Sequence, residues 1–142
     1  MTNISSDADI ERIGLGVLTR TLPKPEWTHA AHFAAAFWLL TRPDRDAMRE
    51  MPALIRAYNE ATGVANTDST GYHETITLAS LRAARAWLDA HKGRPLHVAL
   101  NELLDSAYGR SDWLLAHWSK ALLFSVPARR GWVEPDLQPL PF

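Results

Sequence analysis

The sequence contains no cysteine among its 142 residues. This absence excludes disulfide bonds, metal sites built from thiolates, and a cysteine nucleophile. The chain also lacks an excess of charge of either sign, since 15 basic and 16 acidic residues give a formal net charge of -1. Proteins that bind nucleic acid normally present a basic face. We therefore expect no nucleic-acid partner.

Long hydrophobic runs are absent as well. The longest apolar run extends from Ala30 to Leu40, whereas a helix that spans a membrane needs about 20 such residues. The N-terminal sequence MTNISSDADIERIG carries acids and has neither the basic start nor the apolar centre of a signal peptide. We therefore expect a cytoplasmic protein with no membrane partner.

The sequence also lacks the common motifs for phosphate binding and serine hydrolysis. The polar loop Gly63 to Gly71 contains neither G-x-x-x-x-G-K-S/T nor G-x-G-x-x-G, and no predicted strand precedes it. Ser69, Asp68 and His73 are too close along the chain to form a catalytic relay easily, and no nucleophile elbow surrounds the serine. Neither class of enzyme is predicted.

The pattern of apolar residues predicts an all-α protein. Apolar positions recur at helical spacing, and no stretch alternates with the period of two that marks a half-buried strand. The first predicted helix begins after its cap, Ser6. The other predicted helices are Pro25 to Thr41, Pro52 to about Gly63, Tyr72 to about Ala90, Pro95 to Gly109, and Asp112 to Leu123. The tail GWVEPDLQPLPF is rich in proline and is predicted to be extended. We predict one domain, residues 1–142, with about six helices.

The stretch EWTHAAHF contains the strongest functional pattern. His29 and His32 are three residues apart on a helix, so their Cβ atoms lie about 5–6 Å apart and both rings can reach one ion. His73 stands at the predicted start of another helix, followed by Glu74. A helix N-terminus disfavours imidazolium, and neutral imidazole is the form that binds metal. If the two helix starts meet, these residues form a three-histidine site with an open position, as in catalytic zinc sites.

This interpretation predicts a hydrolase that depends on a divalent metal, zinc above all, and acts on a small molecule. Glu74 or Glu26 would act as general base on the metal-bound water, whose pKa falls to about 7. The predicted substrate-binding residues, all near the same helix ends or in the tail, are Trp27, Tyr58, Tyr72, Thr77 and Trp132. A di-iron site is not predicted, because the unit Glu26-x-x-His29 occurs once and such sites need two.

Each of these residues also has a purely structural interpretation. A histidine on an apolar helix can be satisfied by one backbone carbonyl or a tyrosine hydroxyl, without any ion. Thr77 can bond back to the carbonyl of His73, and Tyr58 can belong to the core. Arg56 and Arg110 are the basic residues we considered for an anionic substrate, with solvated surface as the simpler alternative.

Two other functions therefore stay open. The first is a protein that binds a small molecule without metal, in a pocket lined by tryptophan and histidine. His29 and His73 would donate hydrogen bonds in this pocket, and six tryptophans are available for its flat walls. His117, between Trp113 and Trp118, is a weaker candidate for the same histidine site. The second is a partner-binding protein, such as a homodimer, in which the proline-rich tail docks on another subunit.

Several segments together carry a resemblance to a known group of sequences. They are EWTHAAHF, AYNEATG, GYHETIT, SDWLLAHWS and LFSVPARRGWVEPDLQPL, in this order. In W-T-H-x-x-H, G-Y-H-E-T and W-V-E-P-D, the chain resembles an uncharacterised family of small helical bacterial proteins, from about Leu22 to its end. The resemblance implies that these segments recur as a set around one site covered by the tail. It brings no enzyme class with it.

Overall fold

The computed structural model describes residues 4–142, and this part of the chain is helical without any strand. The all-α prediction is therefore confirmed. The seven α-helices of the described range are α1 (Asp7–Leu18), α2 (His29–Leu40), α3 (Ala47–Ala61), α4 (Glu74–Ala90), α5 (Leu96–Asp105), α6 (Lys120–Leu123) and α7 (Val126–Arg130). Three 3₁₀ turns, Lys24–Glu26, Ala107–Gly109 and Trp113–Ala116, connect them. No helix within residues 4–142 combines the length and apolarity needed to cross a bilayer.

Helix α2 is the centre of the bundle, as its apolar sequence predicts. Nine of its side chains are buried, and α1, α3, α4 and α5 all pack against it. The approach of α1 depends on Gly14, because a Cβ atom at that position would overlap the ring of Trp38. A residue with a side chain at Gly14 would therefore push the two helices apart or displace the indole.

The predicted Ser6 cap of α1 is confirmed, whereas Ser111, predicted to cap a helix from Asp112, caps none. The Ser6 side chain accepts a hydrogen bond from the Asp9 amide at 3.2 Å, which satisfies an N–H group that the first turn of α1 leaves open. Two predicted helix starts are wrong. Pro52 lies inside α3, which begins at Ala47 after the Asp46 cap, and α2 begins at His29 rather than at Pro25. In α2 the side chain of Thr28 caps the first turn instead.

The predicted helix from Asp112 to Leu123 is wrong as well. A 3₁₀ turn occupies Trp113–Ala116, and only Lys120–Leu123 is α-helical, after the Ser119 cap. The tail explains this break, because Asp136 accepts hydrogen bonds from both the amide and the hydroxyl of Ser119 at 2.7 Å. A carboxylate from a distant segment thus fixes a new helix start.

The C-terminal tail has no helix and lies along its own domain. The indole of Trp118 donates to the carbonyl of Val133 at 3.0 Å, and the Leu137 amide donates to the carbonyl of His117 at 2.9 Å. Thr75 adds a third link, since its hydroxyl donates to Gly131 and accepts from the Val133 amide. The tail therefore covers the ends of α4 and α6.

Candidate functional site

His29 and His32 lie at the start of α2, and each uses one ring nitrogen on a backbone carbonyl. The His29 Nε2–H group donates to the carbonyl of Tyr108 at 2.8 Å. The His32 Nδ1–H group donates to the carbonyl of Thr28 at 2.7 Å, and its ring stacks on Trp27 with 3.7 Å between centroids. Burial, with a smaller contribution from the charge of nearby His29, lowers the pKa of His32 to about 4. The His29 ring thus ties the start of α2 to Tyr108, and the His32 ring stabilises the first turn of α2.

His73 uses both ring nitrogens. Its Nε2–H group donates to the carbonyl of Leu123 at 2.7 Å, and its Nδ1 accepts from the Ile76 amide at 3.2 Å as the cap of α4. The side chain is buried, and burial lowers its pKa, so the ring stays neutral. Since both nitrogens have partners, His73 ties the start of α4 to α6 and has no lone pair left for an ion.

The two acids predicted as general bases also have partners of their own. Glu26 accepts from Arg12 at 2.8 Å at an exposed site, and Glu74 accepts from the hydroxyl of Tyr72 at 2.5 Å. Within residues 4–142, no three histidine, aspartate or glutamate side chains are grouped so that they could hold a metal ion. The metal-dependent hydrolase therefore stays a prediction from the sequence.

The predicted substrate-binding residues fall into three places rather than one. Tyr58 is fully buried beside Trp27, and its hydroxyl donates to the carbonyl of Leu22 at 2.7 Å. Tyr72 and Thr77 lie together with Glu74 at the start of α4, where burial raises the pKa of the Tyr72 hydroxyl. Trp132 belongs to the tail.

The surroundings of Trp132 make it part of the tail's attachment. The guanidinium of Arg82 lies 4.0 Å from its ring centroid, and the indole meets Trp118 edge to face at 5.7 Å. Its N–H group donates to Glu134 at 3.0 Å. The ring therefore stabilises the docked tail.

A cavity of ligand size lies elsewhere, at the two 3₁₀ turns after α5. It has a volume of about 520 Å³ and is called the Trp113 cavity below. Its lining residues are Ser106, Ala107, Tyr108, Arg110, Asp112, Trp113, Leu115, Ala116 and His117. Tyr108 and Trp113 meet edge to face at 5.0 Å between centroids, and the His117 ring lies 6.1 Å from Trp113. The lining thus combines the aromatic rings of Tyr108 and Trp113 with polar and charged side chains.

Three contacts fix the shape of this cavity. A Cβ atom at Gly109 would overlap the carbonyl oxygen of Leu104, so the chain can turn back against α5 only with glycine there. The bond from His29 holds the carbonyl of Tyr108, which ties one wall to the central helix. The His117 Nδ1–H group donates to the carbonyl of Gln138 in the tail at 3.1 Å. The neutral His117 ring then has its lone pair on Nε2.

The indole N–H group of Trp113 is the unexplained polar atom of this site. Trp113 is 6% exposed, and its Nε1 is buried without a hydrogen-bond partner among residues 4–142. Such a group costs about 1–3 kcal/mol and calls for an explanation in a native fold. Burial also raises the pKa of Tyr108, so its hydroxyl stays neutral at physiological pH. The residues that line the cavity therefore include two aromatic rings that carry an N–H and an O–H group, and one imidazole.

His117 and Arg110 were candidates from the sequence pattern, whereas Tyr108 and Trp113 were not singled out. Arg110 pairs with Asp112 at 3.2 Å on the exposed side of the cavity. The missed signal was the run of Tyr108, Trp113 and His117 across Gly109 and Ser111, where turn residues interrupt the helical pattern. Binding residues lie disproportionately on irregular segments that a rigid scaffold positions.

No protein-family model, no curated protein and no solved structure matches this chain. The resemblance to a family of small bacterial proteins therefore stays a prediction. Any function has to be argued from the residues of the site.

Proposed function

We propose that this protein binds a small molecule without metal and that the ligand occupies the Trp113 cavity. The observation that carries the proposal is that Trp113, whose buried indole N–H has no partner within the described residues, is one of the residues that line the cavity. A ligand oxygen or nitrogen would supply the missing acceptor. The volume of about 520 Å³ lies within the range of about 300–1,000 Å³ that is usual for ligand pockets.

The lining residues define the chemistry of the ligand. Tyr108 and Trp113 favour a planar ring that packs against their faces or edges. The Trp113 N–H requires an acceptor on this ring, and Nε2 of neutral His117 accepts from a ligand N–H or O–H group. A planar heterocycle or phenol with both a donor and an acceptor matches these groups.

A thermal-shift screen of planar heterocycles and phenols, with and without EDTA, tests the proposal. We expect at least one compound to raise the melting temperature, by the same amount in both conditions, because a ligand that binds only the folded state stabilises it. Trp113→Phe keeps an aromatic ring but removes the N–H donor together with part of the indole surface. It is expected to weaken binding about tenfold, which corresponds to about 1.4 kcal/mol.

Trp132→Phe is the matched control, since it makes the same change in the tail outside the cavity lining. It should leave the affinity within twofold of the parent. Equal weakening by both substitutions would contradict the proposal. So would near-stoichiometric metal in protein purified without a histidine tag, if His29→Ala removed that metal. That result would favour the metal-dependent hydrolase.

A further inference from the structure

A second, smaller cavity is lined by an unusual number of arginines. It measures about 150 Å³ and lies where α3 and α7 meet the polar loop before α4. Arg56 comes from α3, Arg129 and Arg130 come from α7, and Asp68 comes from the loop. Three guanidinium groups and one carboxylate therefore line this cavity. Its small volume suits a small polar ion better than an apolar ligand.

Only one of these arginines is neutralised. Arg130 forms two parallel hydrogen bonds to Asp68, at 2.8 and 2.7 Å. Arg56 lies over the ring of Tyr72, 4.5 Å from its centroid, and forms no ion pair within residues 4–142. Arg129 likewise has no carboxylate partner in that range, because its Nη1 donates to the carbonyls of Gly71 and Tyr72. Two positive charges are left uncompensated.

The loop that carries this cavity is held in one shape before any ligand arrives. The Asn66 side chain accepts from Asn59 and from the Tyr72 amide and donates to the carbonyl of Arg56. Gly71 turns with a φ of 76°, and a Cβ there would meet Asn66. The two hydrogen bonds from Nη1 of Arg129 fix its guanidinium as well. The N–H groups on Nε and Nη2 are not used in these bonds. Fixed donors lose little entropy when they bind an anion.

We infer that this arginine cavity binds a phosphate group or a similar tetrahedral oxyanion. A phosphate group carries a charge of about -1.5 to -2 near pH 7 and three acceptor oxygens, which match two uncompensated guanidinium groups. Arginine forms strong, often paired hydrogen bonds with such oxygens. None of the residues that line the Trp113 cavity takes part, so the two proposals stand or fall independently.

Titration of the protein with inorganic phosphate, by calorimetry at constant ionic strength in sodium chloride, tests this inference. Arg56 is the residue to change, because it is exposed and its side chain contacts the ring of Tyr72 rather than holding the backbone by hydrogen bonds. We expect millimolar or tighter binding to the parent and about tenfold weaker binding to Arg56→Gln. The control Arg49→Gln removes the same charge two turns earlier on α3, outside the cavity, and should change affinity less than twofold.

Parallel titrations with phenyl phosphate and acetate define the ligand class. Phenyl phosphate binding more tightly than inorganic phosphate would extend the inference to phosphorylated small molecules. Three results would overturn it: no phosphate binding below about 50 mM, equal weakening by Arg56→Gln and Arg49→Gln, or acetate binding as tightly as phosphate. Circular dichroism melting curves of both variants establish that they are folded.

Discussion

Trp118→Ala is expected to lower the free energy of unfolding by about 3–5 kcal/mol, the usual cost of removing a fully buried large aromatic side chain. Trp118 has no exposed surface and is among the largest side chains of the core. Its indole also holds the carbonyl of Val133, and its ring packs against Trp132 in the tail. Urea unfolding followed by circular dichroism measures the loss.

The same substitution should release the tail from the domain. We expect faster hydrogen exchange at the Leu137 amide, which donates to the carbonyl of the neighbouring His117. Trp118→Phe is the control, because it keeps most of the apolar volume and removes the bond to Val133. It should cost about 1–2 kcal/mol. A loss below about 1.5 kcal/mol for Trp118→Ala, or unchanged exchange at Leu137, would show that Trp118 does not anchor the tail.

The second large effect is a loss of stability in mild acid that depends on His32. Its pKa in the folded protein is about 4, because burial disfavours the charged ring, whereas the ordinary value is 6.5. In the unfolded chain this ring therefore binds a proton below about pH 6.5, whereas in the folded chain it binds one only below about pH 4. The free energy of unfolding therefore keeps its full value above about pH 6.5 and decreases as the pH falls from about 6.5 to about 4. The drop from pH 7.5 to pH 4.5 should be about 2–3 kcal/mol for this group alone.

Urea unfolding at these two pH values checks the effect in the parent and in His32→Gln, which cannot titrate. We expect the variant to lose most of the drop, although His73 contributes in the same direction. His91→Gln is the matched control, since His91 also bonds a carbonyl four residues earlier and stacks on a tryptophan, but at the far end of α4. An unchanged pH dependence in His32→Gln would disprove the assignment. The carboxylates with lowered pKa, such as Asp68 and Asp136, lose their stabilising effect only at lower pH.

The helical class follows from local pattern, so it could be predicted. Helical spacing of apolar residues, serine caps such as Ser6, and the uniformly apolar stretch of α2 each depend on neighbours a few residues away. One prediction failed because a distant group decided the backbone, since Asp136 of the tail fixes the start of α6. The predicted start of α2 failed on a local contact, because the adjacent Thr28 caps the helix and Pro25 lies in the 3₁₀ turn before it.

The candidate site depended far more on tertiary contacts. His29 and His32 had the spacing of metal ligands and His73 stood at a second helix start, but a pattern cannot show what each ring nitrogen contacts. The partners of His29 and His73 are the carbonyls of Tyr108 and Leu123, which are 79 and 50 residues away along the chain.

Composition and helical periodicity are local properties of the chain, so they were enough to predict a helical protein centred on α2 and to exclude cysteine chemistry. The partners of the imidazoles and the positions of the aromatic and arginine cavities became known from the fold alone. A hydrogen bond or a cavity wall is formed by groups from different segments. Their meeting is set by how the helices pack, and no short stretch of sequence contains it.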